Sequence, residues 1–144
     1  MFSKIAVAYE EHPESARALE RALELAKLLG VPLTVLTIAE PLPAYTAFSA
    51  AANPGAIHLL EQDRTAFYES LKGRIAAHGA AENVEVSAHV LQGDMVRAIV
   101  DFVDTHGIEL LVVGLHRRTL RLSSLWSTVY SLAQELTCSV LGVH

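Results

Sequence analysis

The stretch from Gly114 to Thr128, GLHRRTLRLSSLWST, concentrates residue types that handle anions. Arg117, Arg118 and Arg121 offer planar, charged donors that grip a phosphate or carboxylate through two bonds at once. Ser127 and Thr128, near the start of a following helix, offer hydroxyls and amide N–H groups to a phosphate. Gly114 has no Cβ, so backbone there can come close to a ligand. The same residues also describe a solvated basic loop with Ser/Thr helix caps. The residues alone leave the two readings level.

The charge balance singles out the same segment. Residues 1–109 carry 8 basic and 15 acidic side chains, whereas residues 110–144 carry those three arginines against Glu135 alone. The whole chain has a formal net charge of −5. A local basic cluster on an acidic chain fits an anionic small ligand or an acidic partner, and it speaks against general nucleic-acid binding.

Other chemistries find little support. The first strand-to-helix turn, YEEHPE, contains no glycine, so it is neither a dinucleotide fingerprint nor a P-loop. No G-x-S-x-G elbow occurs. Histidines at 12, 58, 78, 89, 106, 116 and 144 show no paired metal-ligand spacing, so no metal site is expected. The Glu10-Glu11 pair reads as exposed charge at a helix start, because the last strand ends in Gly142-Val143-His144 without the lysine that a phospho-receiver needs. A single cysteine, Cys138, excludes an internal disulfide framework and reads as a buried small hydrophobe. Trp126 reads as packing against the sheet or a subunit partner. No residue is assigned a catalytic role.

Alternating elements must position these residues. Residues 4–9 form an apolar run with little polar alternation, the pattern of a strand buried on both faces. Pro13 suits the first turn of a helix, whose apolar face carries Ala16, Leu19, Leu23, Ala26 and Leu29 before Gly30 and Pro32 stop it. Residues 33–39 read as a second strand and residues 40–53, with two prolines and no period, as a long loop. Asn53-Pro54 opens a helix that runs to about His78, with Gly79 ending it. Residues 84–91 read as a strand. Gly93-Asp94 opens a helix that Gly107 ends. Residues 108–113 read as a strand, 124–136 as a short helix and 139–143 as a last strand. This βα alternation implies an α/β fold with a parallel sheet, right-handed crossovers and helices on both faces. Ligands on such a sheet sit at the carboxyl ends of strands, here the segments after Tyr9, Ile38, Leu91 and Val113.

The chain's 144 residues suit one domain, taken as residues 1–144, with 51% apolar and 19% charged residues as in ordinary globular chains. No apolar run approaches the ~20 residues of a membrane span, and the start lacks a signal-peptide layout. The expected location is the cytoplasm, away from membranes.

Taken together and in order, these pieces resemble the universal stress protein family. KIAVAYEEHPESARALERALELAKLLGVPLTVLTI is similar to that family's first strand, first helix and second strand. QGD at 92–94 resembles its glycine turn before a helix, GIELLVVG at 107–114 its fourth strand, and ELTCSVLGV at 135–143 its closing strand. The resemblance implies a Rossmann-like three-layer sandwich, of the adenine nucleotide alpha hydrolase-like kind, with a five-stranded parallel sheet in the order 3-2-1-4-5. It also implies homodimers paired along the last strand, here Ser139, Val140, Leu141, Gly142 and Val143. That edge run is apolar, and an exposed apolar edge needs a partner or a cover.

One branch of the family binds ATP through G-x2-G-x9-G-[S/T]. Laid on this chain, the pattern falls on Gly114, Arg117, Ser127 and Thr128, so the first glycine and the final hydroxyl match while two glycines are replaced. Glu10 stands where that branch has aspartate, and Met95 where a proline often follows the strand-three turn. The resemblance therefore gives candidate nucleotide contacts at Ala8, Tyr9, Glu10, Thr37, Ile38, Gly93, Gly114, His116, Arg117, Arg118, Ser127 and Thr128. It implies a non-catalytic stress-response homodimer with weak or lost nucleotide binding. The alternative is an ATP- or AMP-binding regulatory module, with Mg2+ as companion ion and arginines replacing glycines. Slow nucleotide hydrolysis is the third reading.

Overall fold

The computed structural model describes residues 1–39, 45–115 and 124–144. The elements are β1 (Ile5–Ala8), α1 (Pro13–Leu29), β2 (Leu33–Ala39), α2 (Tyr45–Ala52), α3 (Pro54–Ala81), β3 (Val86–Gln92), α4 (Met95–His106), β4 (Leu110–Gly114), α5 (Ser124–Glu135) and β5 (Ser139–Val143). All five strands are parallel and lie in the order β3-β2-β1-β4-β5, the order expected above. Ile5 pairs with Leu33 on one side and Leu110 on the other, which aligns the strand starts across the sheet centre.

The inner strands β1, β2 and β4 are apolar on both faces because both faces are covered, while β3 and β5 keep exposed positions. Successive side chains point to opposite sides, so each strand feeds two cores. Ile5, Val7, Leu33, Val35, Leu110 and Val112 pack with Ala18, Leu19, Ala22 and Leu23 of α1 and with Leu71 and Ile75 of α3. Ala6, Leu36, Ile38, Leu111 and Val113 pack on the other face with Ile99, Phe102 and Val103 of α4 and with Leu132 of α5.

Local signals set the helix ends. Pro13 stands in the first turn of α1, where its missing N–H costs nothing. Gly30, at φ 67°, takes the left-handed conformation that closes α1, and its N–H reaches the Ala26 and Lys27 carbonyls. Asn53 caps α3 by accepting from the Ala56 N–H, and Asp94 caps α4 by accepting from the Arg97 N–H at 3.0 Å.

Two expectations are corrected. Within the span read as a loop, Tyr45–Ala52 is helix α2, while residues 40–44 lie outside the described residues. Its sequence, YTAFSAAA, is rich in alanine, the best helix former, and α2 packs on α3. The second correction concerns Gly79, which lies inside α3 and does not end it. A Cβ at Gly79 would collide with the Val86 side chain, so the glycine lets α3 lie close on β3. The helix ends two residues later, and the Val84 N–H then returns to the Gly79 carbonyl at 2.9 Å.

Candidate functional site

The carboxyl ends of β1, β2 and β4 open into a cavity of about 290 Å³ on the α4–α5 face of the sheet. That volume is near the lower end for small-molecule sites. Its floor is apolar and comes from Leu36, Ile38, Met95, Ile99, Val113, Leu115, Val129 and Leu132. The polar side chains at its mouth come from the segment after β1 and from beyond β5: Tyr9, Glu10, His12, Glu14, Ser15 and His144. A flat apolar group fits the floor, and the mouth offers two carboxylates, two imidazoles and two hydroxyls.

Backbone bonds shape the mouth. The Tyr9 N–H donates to the Leu36 carbonyl at 2.8 Å, continuing the β1–β2 ladder by one residue. The Thr37 hydroxyl donates to the Tyr9 carbonyl at 3.1 Å. Thr37 is the one buried polar residue among those described, and this bond satisfies it. The His12 N–H then donates to the Glu10 carbonyl at 2.8 Å, turning the chain into α1. The Glu10 carboxylate lies 3.6 Å from His12 Nε2. Arg74 on α3 ties the neighbouring Glu11 at 2.7 Å. Both pairs are exposed, so they orient side chains more than they add stability.

Gly114 ends β4 against the first turn of α1. A Cβ there would fall 2.7 Å from the Glu14 carbonyl carbon and oxygen and 2.9 Å from the Ser15 nitrogen. These are backbone atoms that cannot swing aside. The close approach that Gly114 permits is therefore already taken by α1, while the residue also lines the cavity.

Of the expected contacts, Ala8, Tyr9, Glu10, Ile38 and Gly114 line the cavity together. Thr37 holds its rim from behind. Gly93 lies in the turn after β3 at φ 102°, with open space where a Cβ would stand, and is not among the lining residues. His116, Arg117, Arg118 and Arg121 lie outside the described residues. Ser127 and Thr128 fall within α5, and their side chains lie outside the described residues too.

Sequence reasoning missed the α4 and α5 floor and the mouth residues His12, Glu14, Ser15 and His144. Met95 carried a signal, since it directly follows the strand-three turn. Leu36 carried another, since it shares a strand face with Ile38. Cys138 sits half-buried on the same sheet face, where burial raises its thiol pKa, so it is not an activated nucleophile. Among the described residues, no group of three or more His, Cys, Asp or Glu side chains is placed to hold a metal ion. No helix among them is long and apolar enough to cross a membrane.

A family model described as "Universal stress protein family" matches residues 1–144. No curated protein sequence matches the chain. Solved structures do. A universal stress protein family member from Burkholderia pseudomallei is similar at TM-score 0.73 and 20% identity, covering 98% of this chain and 95% of its own. The universal stress protein from Archaeoglobus fulgidus in complex with dAMP is similar at TM-score 0.70 and 17% identity, covering 99% and 98%. An Arabidopsis thaliana universal stress protein family protein with AMP bound is similar at TM-score 0.70 and 18% identity, covering 98% and 90%. Identities this low speak to the fold alone.

Proposed function

The chain belongs to the universal stress protein family, and from that premise we propose that it acts in the stress response as a non-catalytic homodimer with weak adenine-nucleotide binding. The observation that carries the nucleotide half is the cavity at the strand ends, where Ala8, Tyr9, Glu10, Ile38 and Gly114 meet around an apolar floor. Adenine is a flat, largely apolar ring system, and such a floor suits it. The relatives holding dAMP and AMP support a nucleotide as the occupant.

The phosphates are the weak part of the fit. Arg117 and Ser127 stand where the ATP-binding pattern has glycines, and a Cβ restricts the backbone wrap that glycine permits. Gly114 is backed by the first turn of α1. Glu10 and Glu14 put negative charge at the mouth, which repels a triphosphate more than a monophosphate. Binding then draws mainly on the base and sugar.

The test is thermal unfolding of the protein, freed of carried-over nucleotide, with AMP and with Mg-ATP. For a Kd near 1 mM, 10 mM AMP adds about 1.4 kcal/mol. That raises Tm by roughly 3–5 °C in a domain of this size. An unchanged Tm with both ligands would remove the nucleotide half of the proposal.

The second reading, a regulatory ATP or AMP module that grips phosphate through side chains, is favoured by the cluster Arg117, Arg118 and Arg121. Under it, Arg117→Ala weakens ATP binding and leaves adenosine binding unchanged. The dimer half of the proposal rests on β5 (Ser139–Val143), which lies at an edge of the sheet with Leu141 40% exposed. Residues 1–144 act as one domain in either reading.

A further inference from the structure

Gly142 lies on the edge strand β5, in register with Val113 of β4. Val140, two residues earlier, packs into the core on the α4–α5 side, so position 142 faces that same side. A Cβ at Gly142 would fall 2.5 Å from Leu115 Cδ1, 3.1 Å from its Cγ and 3.5 Å from its Cδ2. The Leu115 side chain therefore fills the space that a side chain at 142 would take. Leu115 also lines the cavity, and Gly142 is not among the lining residues. One leucine thus stands between an edge-strand glycine and the cavity.

We propose that Leu115 is the wall that sets the width of the cavity, and that Gly142 is the positioning residue that keeps this wall back, leaving a slot for a flat, uncharged bicyclic ring. The inference rests on the cavity being the ligand site, as in the reading above, and adds what fixes its size. The Leu115 N–H donates to the Val143 carbonyl at 2.7 Å, so its backbone is tied to β5 and the side chain is the part that can give way. That side chain has a few staggered rotamers, and a Cβ at 142 removes the one in use. Away from Gly142 the leucine meets the α4–α5 core and the cavity. The core is close-packed, so the space open to a displaced leucine is the cavity.

The rest of the lining sharpens the point. Leu36, Ile99 and Val113 are buried within the core, whereas Leu115 is half-buried, so a change beside it can move it. Gly114 gives the contrast. A Cβ there meets the backbone of α1, and the cost falls on the fold. At Gly142 a Cβ meets the far end of a flexible side chain, and the cost falls on the cavity.

The test is an NMR titration of the full chain with indole, a flat, uncharged bicycle close to adenine in size that carries neither sugar nor phosphate. The methyl resonances of Leu115, Ile99 and Leu132 are followed. In the parent protein indole is expected to shift all three and to saturate. Gly142→Ala is expected to move the Leu115 methyls before any ligand is added and to weaken indole binding about tenfold, the scale of a one-methyl overpacking. Adding Leu115→Ala to Gly142→Ala is expected to abolish that loss, so that the double variant binds indole as Leu115→Ala alone does. A general disturbance of β5 would persist in the double variant. Indole that moves none of the three residues, Gly142→Ala that binds it as the parent does, or a loss undiminished in the Leu115→Ala background overturns the proposal. The nucleotide reading is decided separately: if indole follows the expected pattern while AMP leaves the Tm unchanged, the wall stands and the nucleotide falls.

Discussion

Gly114 shows how one residue serves both the fold and the cavity. Its missing Cβ makes room for the Glu14 and Ser15 backbone, so Gly114→Ala forces α1 away from β4. Overpacking against backbone costs about 1–3 kcal/mol. The expected outcome is a Tm lower by several degrees, with a displaced cavity mouth; thermal unfolding that matches the parent would show that α1 shifts freely. Glu109 has a different role, at the opposite end of the sheet. The Ser3 N–H at 2.6 Å and the Ser3 hydroxyl at 3.1 Å donate to its carboxylate, followed by the Lys4 N–H at 3.4 Å. The Ser3 bonds chiefly hold its pKa below the ordinary value of 4.5, assisted by Lys4 and the N-terminal charge. A carboxyl whose pKa is depressed on folding binds fewer protons in the native state, so its contribution is present above pH 4.5 and is lost as pH falls through the native value. Urea unfolding at pH 6, 4.5 and 3 is expected to show Glu109→Gln losing less stability across that series than the parent. Parallel losses would mean that the Ser3 bonds do not survive in solution.

At the scale of elements, α3 carries the longest mismatch with its surroundings. Its 28 residues span about 42 Å, whereas the seven residues of β3 span about 23 Å. Only Leu71, Ile75 and Gly79 are buried along it, all in its second half. Leu59 and Leu60 in the first half remain exposed. Few buried contacts mean low local stability, so amides over 55–66 are expected to exchange with deuterium at least tenfold faster than those over 71–79. Uniform protection along the helix would show that something covers its first half. This helix also shows what the sequence makes legible and what it does not. Asn53-Pro54 announces its start, because capping is a local event. The sequence places its end at Gly79 and the helix runs on to Ala81, because that glycine answers to Val86, a partner that only the fold supplies. Residues 45–52 show no helical period in the sequence, and α2 packs on α3. Strands β1, β2 and β4 are legible as apolar runs because burial on both faces removes polar alternation. The strand-end rule points to the segments after Tyr9, Ile38, Leu91 and Val113; Glu10 and Gly114, which follow the first and last of these, line the cavity, and Gly93 after Leu91 does not. The floor contributed by Ile99 and Leu132 depends on which helix faces turn inward above β1, and no local pattern states that. Thr37 illustrates the same limit, since its hydroxyl is committed to the Tyr9 carbonyl and not to the cavity.

At the scale of the whole molecule, the sheet ends in the edge strands β3 and β5, and among the described residues these are unlike each other. The β3 edge has His89 and Ser87 standing exposed along it, polar side chains that discourage a second sheet from adding on. The β5 edge instead presents Leu141, 40% exposed, beside a glycine, with Tyr130 of α5 61% exposed. The Leu115 N–H pairs inward to the Val143 carbonyl at 2.7 Å, so the inner side of β5 is satisfied and its outer row of backbone groups is the one on offer. A second copy related by a twofold axis would meet that row antiparallel, covering Leu141 from both sides. Five residues of strand supply only a handful of ladder bonds, and a durable interface buries about 1,600 Å² in total. The proposed pairing would therefore depend on side chains flanking the strand, and the fraction of dimer would vary with concentration. Sedimentation velocity is expected to find a dimer at tens of micromolar that dissociates on dilution. Leu141→Lys places two like charges near the axis, and it is expected to give a monomer at the same concentration with its Tm lowered only through lost association. A parent protein that sediments as a monomer at tens of micromolar ends the edge-pairing proposal. A Leu141→Lys dimer as strong as the parent's moves the interface away from β5.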